Sequence, residues 1–214
     1  MIELLIKTVI AYLLGSLIGS LIVGKLKGDI DIRNEGSGNA GGTNALRTRG
    51  KAFAAWVMLI DIGKGVLAVA FLPTLSIPFI PAGTMAADWI GAACAIAVVF
   101  GHVYPVFFGF RGGKGVATIV GVLAVLSPWA LLVALLIWAT VLMLTGYVRL
   151  SSIIGVASVP VYALVAAGGN IVNPLFVFGA VMALFVLYTH RSNVRRILEG
   201  TEYCFEKAML LKRR

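Results

Sequence analysis

Charge is what this sequence has least of. Only 13% of its 214 residues are charged, and nine of them are Asp or Glu. Soluble domains carry about 25% charged residues, so an aqueous exterior is excluded. Hydrophobic residues make up 60% of the chain and the mean hydropathy is +0.99, which places it among integral membrane proteins. Cysteine is scarce too: Cys94 falls inside an apolar run and Cys204 in a basic tail. In that layout they are too separated to pair, and a disulfide-stapled secreted fold is excluded. Neither cysteine has metal-ligand spacing, and His102 and His190 lack the further ligands of a usual zinc site. No metal and no cofactor is expected. No repeat of fixed period and no low-complexity tract occurs. Met1-Ile2-Glu3-Leu4 has no basic stretch and no small-residue cleavage site, so the start reads as a retained first span rather than a signal peptide.

Apolar runs long enough for a hydrocarbon core of about 30 Å, or about 20 residues, lie near 4–23, 52–72, 89–108, 116–127, 129–147, 153–167 and 174–189. The fourth is short. Either it is separate, or residues 116–147 form one tilted span that Pro128 merely kinks. Charge decides between them. With seven spans and the N-terminus outside, the inner segments 24–51, 109–115, 148–152 and 190–214 hold the loop Lys and Arg residues, and the outer segments 73–88 and 168–173 hold none. The positive-inside rule therefore favours seven. The expectation is an all-α, polytopic, single domain over 1–214, with its C-terminus in the cytoplasm. The short fourth helix is expected to extend into the polar loop before it. Basic inner loops account for the net charge of +9 without a nucleic-acid partner. Lys25, Lys27, Lys207 and the Arg213–Arg214 end read as topological charge beside lipid headgroups.

Four polar clusters fall on the inner side. The first is the glycine-rich run Gly36-Ser37-Gly38-Asn39-Ala40-Gly41-Gly42-Thr43-Asn44, followed by Arg47. Such a run cannot cross lipid, because its backbone N–H groups would go unpaired. It suits an anion instead, since consecutive glycines let several N–H groups converge. The second runs from Gly101-His102 through Pro105 to Gly112-Gly113-Lys114-Gly115. The third is Arg149-Leu150-Ser151-Ser152, and the fourth spans His190 to Glu202. Asp61 and Lys64 lie one helical turn apart within the second span. Charges inside a span are costly and usually face a cavity or pathway.

Each cluster has a plainer reading. The glycines alone describe a flexible loop, His102 a satisfied helix-end histidine, Ser151 and Ser152 a helix cap, and Asp61 with Lys64 a structural ion pair. What favours function is their coincidence on one side. Two motif matches fail. Gly36-x-Gly38-x-x-Gly41 has the spacing of a dinucleotide fingerprint but follows a membrane helix, not a strand. Gly112-Gly113-Lys114-Gly115 lacks the first glycine of a Walker loop, which is Phe108 here, and has Gly115 in place of Ser or Thr.

Together the segments Gly36-Ser37-Gly38-Asn39-x-Gly41-x-Thr43-Asn44, Gly101-His102-x-x-Pro105-x-Phe107 with Gly112-Gly113-Lys114-Gly115, and His190-x-x-Asn193-x-x-Arg196-x-x-x-Gly200-x-Glu202 resemble the three signatures of the bacterial acyl-phosphate:glycerol-3-phosphate acyltransferases. The resemblance covers essentially the whole chain in order and spacing. It implies a multi-pass enzyme of the bacterial plasma (inner) membrane, with its site facing the cytoplasm. The reaction implied is acyl transfer from acyl phosphate to the 1-hydroxyl of glycerol 3-phosphate, giving lysophosphatidic acid and phosphate. The implied partners are those two substrates and membrane lipid, with no metal, no nucleic acid and no obligate protein partner.

On this reading the acyl phosphate headgroup meets the nest formed by Ser37, Gly38, Asn39, Gly41, Thr43 and Asn44. Glycerol 3-phosphate meets Arg47, Lys114, His190, Asn193 and Arg196, with Gly112, Gly113, Ser152, Lys64 and Glu202 completing the binding surface. His102, Lys114, His190 and Asn193 are the candidate catalytic residues. The proton acceptor is His102, His190 or the donor's own phosphate. The His-x4-Asp motif of acyl-CoA-dependent acyltransferases is absent, since Phe107 follows His102 and Arg195 follows His190 at that spacing. A different class, a transporter or exchanger of phosphate compounds, also places charges and broken helices within spans, but no inverted repeat supports it.

Overall fold

A computed structural model describes residues 1–80 and 83–210, the side chain of Lys207 excepted. Lys212, Arg213 and Arg214, counted above as inner charge, lie outside the described residues. Among the described residues the regular structure is helical, with no strand. The chain divides into two compact units, Met1–Leu126 and Ser127–Arg214.

The first unit begins with α1 (Ile2–Gly15) and α2 (Gly19–Leu26), bent by 48° across three residues. A single span over 4–23 was expected from the unbroken apolar run. α3 (Gly42–Phe71) follows a glycine-rich loop, and Gly50 divides it with φ 80° and ψ −176°. That conformation is readily open only to glycine. α4 is Ala87–Val103 and α5 is Val116–Leu126. Small residues bring the helices close. A Cβ at Gly15 would strike the Val98 backbone and one at Gly101 the Tyr12 carbonyl, locking α1 to α4. Gly65 against Thr118 and Gly121 against Ile62 do the same for α3 and α5.

The expected extension of the short fourth span does not occur. α5 starts at Val116, because Gly115 adopts φ 88° and residues 109–115 fold back on α4. Its 11 residues span only about 16 Å at 1.5 Å per residue.

In the second unit α6 (Pro128–Thr145) starts afresh, with the Ser127 hydroxyl accepting from the Ala130 amide at 3.3 Å. Pro128 occupies the first turn, where its missing N–H costs nothing. The alternative of one helix kinked at Pro128 is therefore not what forms. α7 (Val148–Ala166) and α8 (Pro174–Thr189) pack through Gly179, which meets Val159 and Pro160. α8 is capped by the Asn173 side chain, and α9 (Arg191–Leu198) leaves it at 57°.

Four helices, α3, α4, α6 and α7, are long and apolar enough to cross a membrane, and six spans result if each bent pair counts as one. The expected fourth span, 116–127, corresponds to α5, which is shorter. The first expected span also hides a charge: Lys7 is buried, bonded to Glu3 at 2.7 Å and to the Pro73 carbonyl at 2.8 Å. The i,i+4 spacing of Glu3 and Lys7 was the available signal.

Candidate active site

In the first unit the glycine-rich run divides in two. Residues 36–41 form a loop, with Gly36 and Gly38 at φ 58° and 70°. Gly42 then starts a helix whose N-cap, Gly41, offers no side-chain cap. The half-buried N-terminus of α3 thus presents backbone N–H groups with a favourable dipole. Ser37, Gly38 and Thr43 are exposed around it, and Asn39 is half-buried. Asn44 is different. It is buried, its Oδ1 accepts from the Ser37 amide at 2.9 Å, and its Nδ2 donates to the Ile32 and Glu35 carbonyls at 2.9 and 3.0 Å. Its side chain holds the loop. Arg47, one turn on, is exposed.

Residues 105–115 make a second loop at the end of α4. The Gly112 and Gly113 amides donate to the Val103 and His102 carbonyls, both at 3.1 Å. Lys114 is half-buried beside them. A Cβ on Gly113 would fall on the His102 ring, so this glycine is required by close approach.

Beneath these loops lies a buried charged group. Lys64 donates to the Gly15 and Leu17 carbonyls, each at 2.9 Å, and lies 3.0 Å from Asp61 Oδ1 and 2.8 Å from His102 Nδ1. Asp61 Oδ1 also accepts from the Gly19 amide at 3.1 Å. The break between α1 and α2 is thereby explained. Carbonyls freed at a helix end need donors, and Lys64 supplies them while Asp61 takes an amide of the next helix. His102 Nδ1 also lies 3.4 Å from Asp61 Oδ1, so both members of the buried pair meet the same ring nitrogen, and the Nε2 edge of the ring lies beside Gly113.

In the second unit Glu202 gathers the polar side chains. Its Oε2 accepts from Asn193 Nδ2 and Arg196 Nε, both at 2.9 Å, and Oε1 lies 3.4 Å from Arg149 Nε. Burial alone would raise this carboxyl's pKa, but the Arg196 and Asn193 hydrogen bonds and the charges of Arg149 and Arg196 outweigh it and hold it below the ordinary range. His190 is buried, and its Nδ1 donates to the Val186 carbonyl at 2.9 Å. Ser152 accepts from Trp138 Nε1 at 3.3 Å and donates to the Val148 carbonyl at 2.9 Å. Ser151 and Ser152 do not cap α7, whose N-cap is Tyr147; their hydroxyls donate to the Tyr147 and Val148 carbonyls four residues back.

Within the first unit Ser37, Gly38, Asn39, Gly41, Thr43 and Arg47 lie on one glycine-rich segment, while Gly112, Gly113 and Lys114 lie on another. Within the second, Asn193, Arg196 and Glu202 are in direct contact. Two basic residues outside the expected site now stand out, Arg149 on Glu202 and Arg33 between the loops of the first unit. No cluster of three or more His, Cys, Asp or Glu with metal-binding geometry occurs among the described residues.

Helices alone among the described residues, four of them long and apolar enough to cross a membrane, define an integral membrane protein. Residues 5–200 match the glycerol-3-phosphate acyltransferase family, and the chain belongs to that family. It is 41% identical over 198 residues to the glycerol-3-phosphate acyltransferase of Aquifex aeolicus, covering 92% of this chain and 96% of that one. It is 46% identical over 195 residues to that of a Thermoanaerobacter strain, covering 91% of each. The fold is similar to crystal structures of PlsY, an integral membrane glycerol 3-phosphate acyltransferase. For its glycerol 3-phosphate form the TM-score is 0.79 and the identity 36%, covering 94% of this chain and 95% of the other. For its lysophosphatidic acid form they are 0.77 and 34%, covering 94% of each.

Proposed function

We propose that this protein transfers a fatty acyl group from acyl phosphate to the 1-hydroxyl of glycerol 3-phosphate, giving lysophosphatidic acid and inorganic phosphate. The observation that carries the reading is the match of residues 5–200 to the family, with all three signatures intact. Similar structures are known in glycerol 3-phosphate and lysophosphatidic acid forms, and these are the acceptor and the product of this reaction.

In this reading the α3 N-terminus, with Ser37, Gly38, Asn39, Gly41 and Thr43, receives the acyl phosphate headgroup. Arg47 and Lys114 take the phosphate of glycerol 3-phosphate. Within the second unit Glu202 aligns Asn193 and Arg196 as donors suited to a phosphate, and His190 and Ser152 keep the roles that the family resemblance implies. Asn44 and Lys64 act by holding the loops rather than by touching substrate, since protein groups engage their polar atoms, and His102 meets Lys64 through Nδ1 while its Nε2 edge faces Gly113. Gly112 and Gly113 allow the loop's close approach to α4.

The acceptor oxygen attacks the acyl carbonyl carbon, a C–O bond forms, and the bond from that carbon to the phosphate oxygen breaks. An acyl phosphate is a mixed anhydride with a good leaving group, so positioning and positive charge suffice. His102 Nδ1 is directed at Lys64 and Asp61, and the base in this reading is the donor's own phosphate. The hydroxyl proton passes to the departing phosphate, whose oxygens lie close to the carbon under attack. Purified protein should release phosphate from acyl phosphate only when glycerol 3-phosphate is present. No release with both substrates would favour the transporter class, and release independent of the acceptor would mean hydrolysis, with water taking the acyl group.

The reading places the loops in the cytoplasm at the bacterial plasma membrane, with seven spans and the N-terminus outside. The charge distribution supports it: the loops at 73–88 and 168–173 contain no Lys or Arg. Ser76→Cys and Gly169→Cys variants should react with an impermeant thiol reagent on intact cells. Gly38→Cys and Arg195→Cys should react only after permeabilisation. External labelling at position 195 would require an even number of spans and refute this layout.

A further inference from the structure

We propose that Arg33 is a positioning residue that clamps the second phosphate loop of the first unit to the first, and so sets the placement of Lys114. The inference rests on the reading of those loops as phosphate-binding. Arg33 lies in a short 3-10 turn, Ile32–Asn34, between α2 and α3. Its Nε and Nη2 grip Asp31, with Nη2 2.7 Å from Oδ2. Its Nη1 reaches across to the Phe108 and Arg111 carbonyls, at 2.9 and 3.0 Å. A single guanidinium thus joins segments 75 and 78 residues apart.

What it holds needs holding. Between its two carbonyl partners the backbone turns left-handed twice, at Gly109 with φ 65° and at Phe110 with φ 57°. For a bulky side chain such as Phe110 this region is strained, and strain persists only where surrounding structure over-determines it. The Arg33 contacts bracket the strained pair at positions 108 and 111. Lys114 follows three residues later.

The other side of the same turn is tied to the first loop. The Ile32 and Glu35 carbonyls, flanking Arg33, accept from Asn44 Nδ2, and Asn44 Oδ1 holds the Ser37 amide. A continuous hydrogen-bonded path therefore runs from Ser37 through Asn44 and the 31–35 turn to Arg33, and on to the loop carrying Lys114. An exposed Arg–Asp pair by itself contributes little. Here Asp31 fixes the guanidinium plane so that Nη1 meets two carbonyls, a fork geometry that a lysine cannot reproduce.

The test compares steady-state kinetics of the purified full-length protein and the variants Arg33→Ala, Arg33→Lys, Asp31→Asn and Arg33→Ala/Asp31→Asn, with Lys114→Ala alongside. Arg33→Ala should raise the KM for glycerol 3-phosphate by about 10- to 100-fold, as misplacement of a binding group does, with a smaller change in kcat. Arg33→Lys should not restore it. Asp31→Asn should raise KM less, and the double variant should be no worse than Arg33→Ala, because Asp31 acts through Arg33. A KM within about two-fold of the parent for Arg33→Ala, full rescue by lysine, or additive effects in the double variant would overturn the clamp. If Arg33→Ala does not yield folded protein, Arg33→Lys and Asp31→Asn carry the same comparison. If Lys114→Ala also leaves glycerol 3-phosphate use unchanged, the phosphate-loop reading itself fails; if Lys114→Ala is impaired and the Arg33 variants are not, only the clamp fails.

Discussion

Lys114→Ala is expected to lower kcat/KM by about 30- to 1000-fold while the protein stays folded, the loss of about 2–4 kcal/mol of charge-assisted contact with phosphate at the transition state. Lys114 sits half-buried between Gly113, which touches the His102 ring, and Gly115, which ends the loop at φ 88°. Its backbone is thus fixed from both sides, and its side chain is the loop's only ammonium. Lys27→Ala supplies the contrast. Lys27 is exposed just beyond α2, and a solvated charge of this kind contributes little. Steady-state assays of both variants, with monodispersity in detergent as the folding control, test the difference. Equal losses would mean that site charges and topological charges have been wrongly divided.

Lys64→Met is expected to destabilise the protein by about 3–5 kcal/mol, because it leaves the buried Asp61 carboxylate uncompensated. Asp61 is fully buried, and its Oδ2 accepts no hydrogen bond within the described structure. The same change strips the donor from the Gly15 and Leu17 carbonyls at the break between α1 and α2. Lys64→Met/Asp61→Leu should recover much of the stability, since replacing both partners of a buried pair by apolar groups is often near neutral. It should not recover activity, because the helix break and His102 Nδ1 would still lack their partner. Thermal unfolding in detergent, read beside turnover, separates the two. A single variant as stable as the parent, or a stable double variant with full activity, would show that the buried group neither compensates charge nor positions the loops.

The elements that were legible in the sequence carry their own local boundaries. α6 and α8 begin where Ser127-Pro128 and Asn173-Pro174 put a capping side chain and a first-turn proline together. The break between α1 and α2 has no such mark. Its run is apolar throughout, and the cause is Lys64, reaching from α3 across 49 residues to the Gly15 carbonyl. The site was legible as residue types and only partly as roles. Asn44 and Lys64 look like substrate ligands in a list of polar residues, yet protein carbonyls use their donors. The start of α3 at Gly42 was hidden because glycines there carry little helix propensity. Arg33 resembled any inner-loop arginine, since the carbonyls it holds lie far along the chain. The expected lengthening of the fourth span depended on the stretch before α5 joining the helix, and the left-handed Gly115 stops the helix short at Val116 instead.

The central claim is acyl transfer from acyl phosphate to glycerol 3-phosphate, and one assay addresses it most directly. Purified protein receives isotopically labelled glycerol 3-phosphate with either palmitoyl phosphate or palmitoyl-CoA, and the products are identified by mass. Palmitoyl phosphate should give labelled 1-palmitoylglycerol 3-phosphate and one inorganic phosphate per product. Palmitoyl-CoA should give essentially none, since no segment reads as an adenine or pantetheine site. Rapid product formation from palmitoyl-CoA, or none from palmitoyl phosphate, would contradict the account.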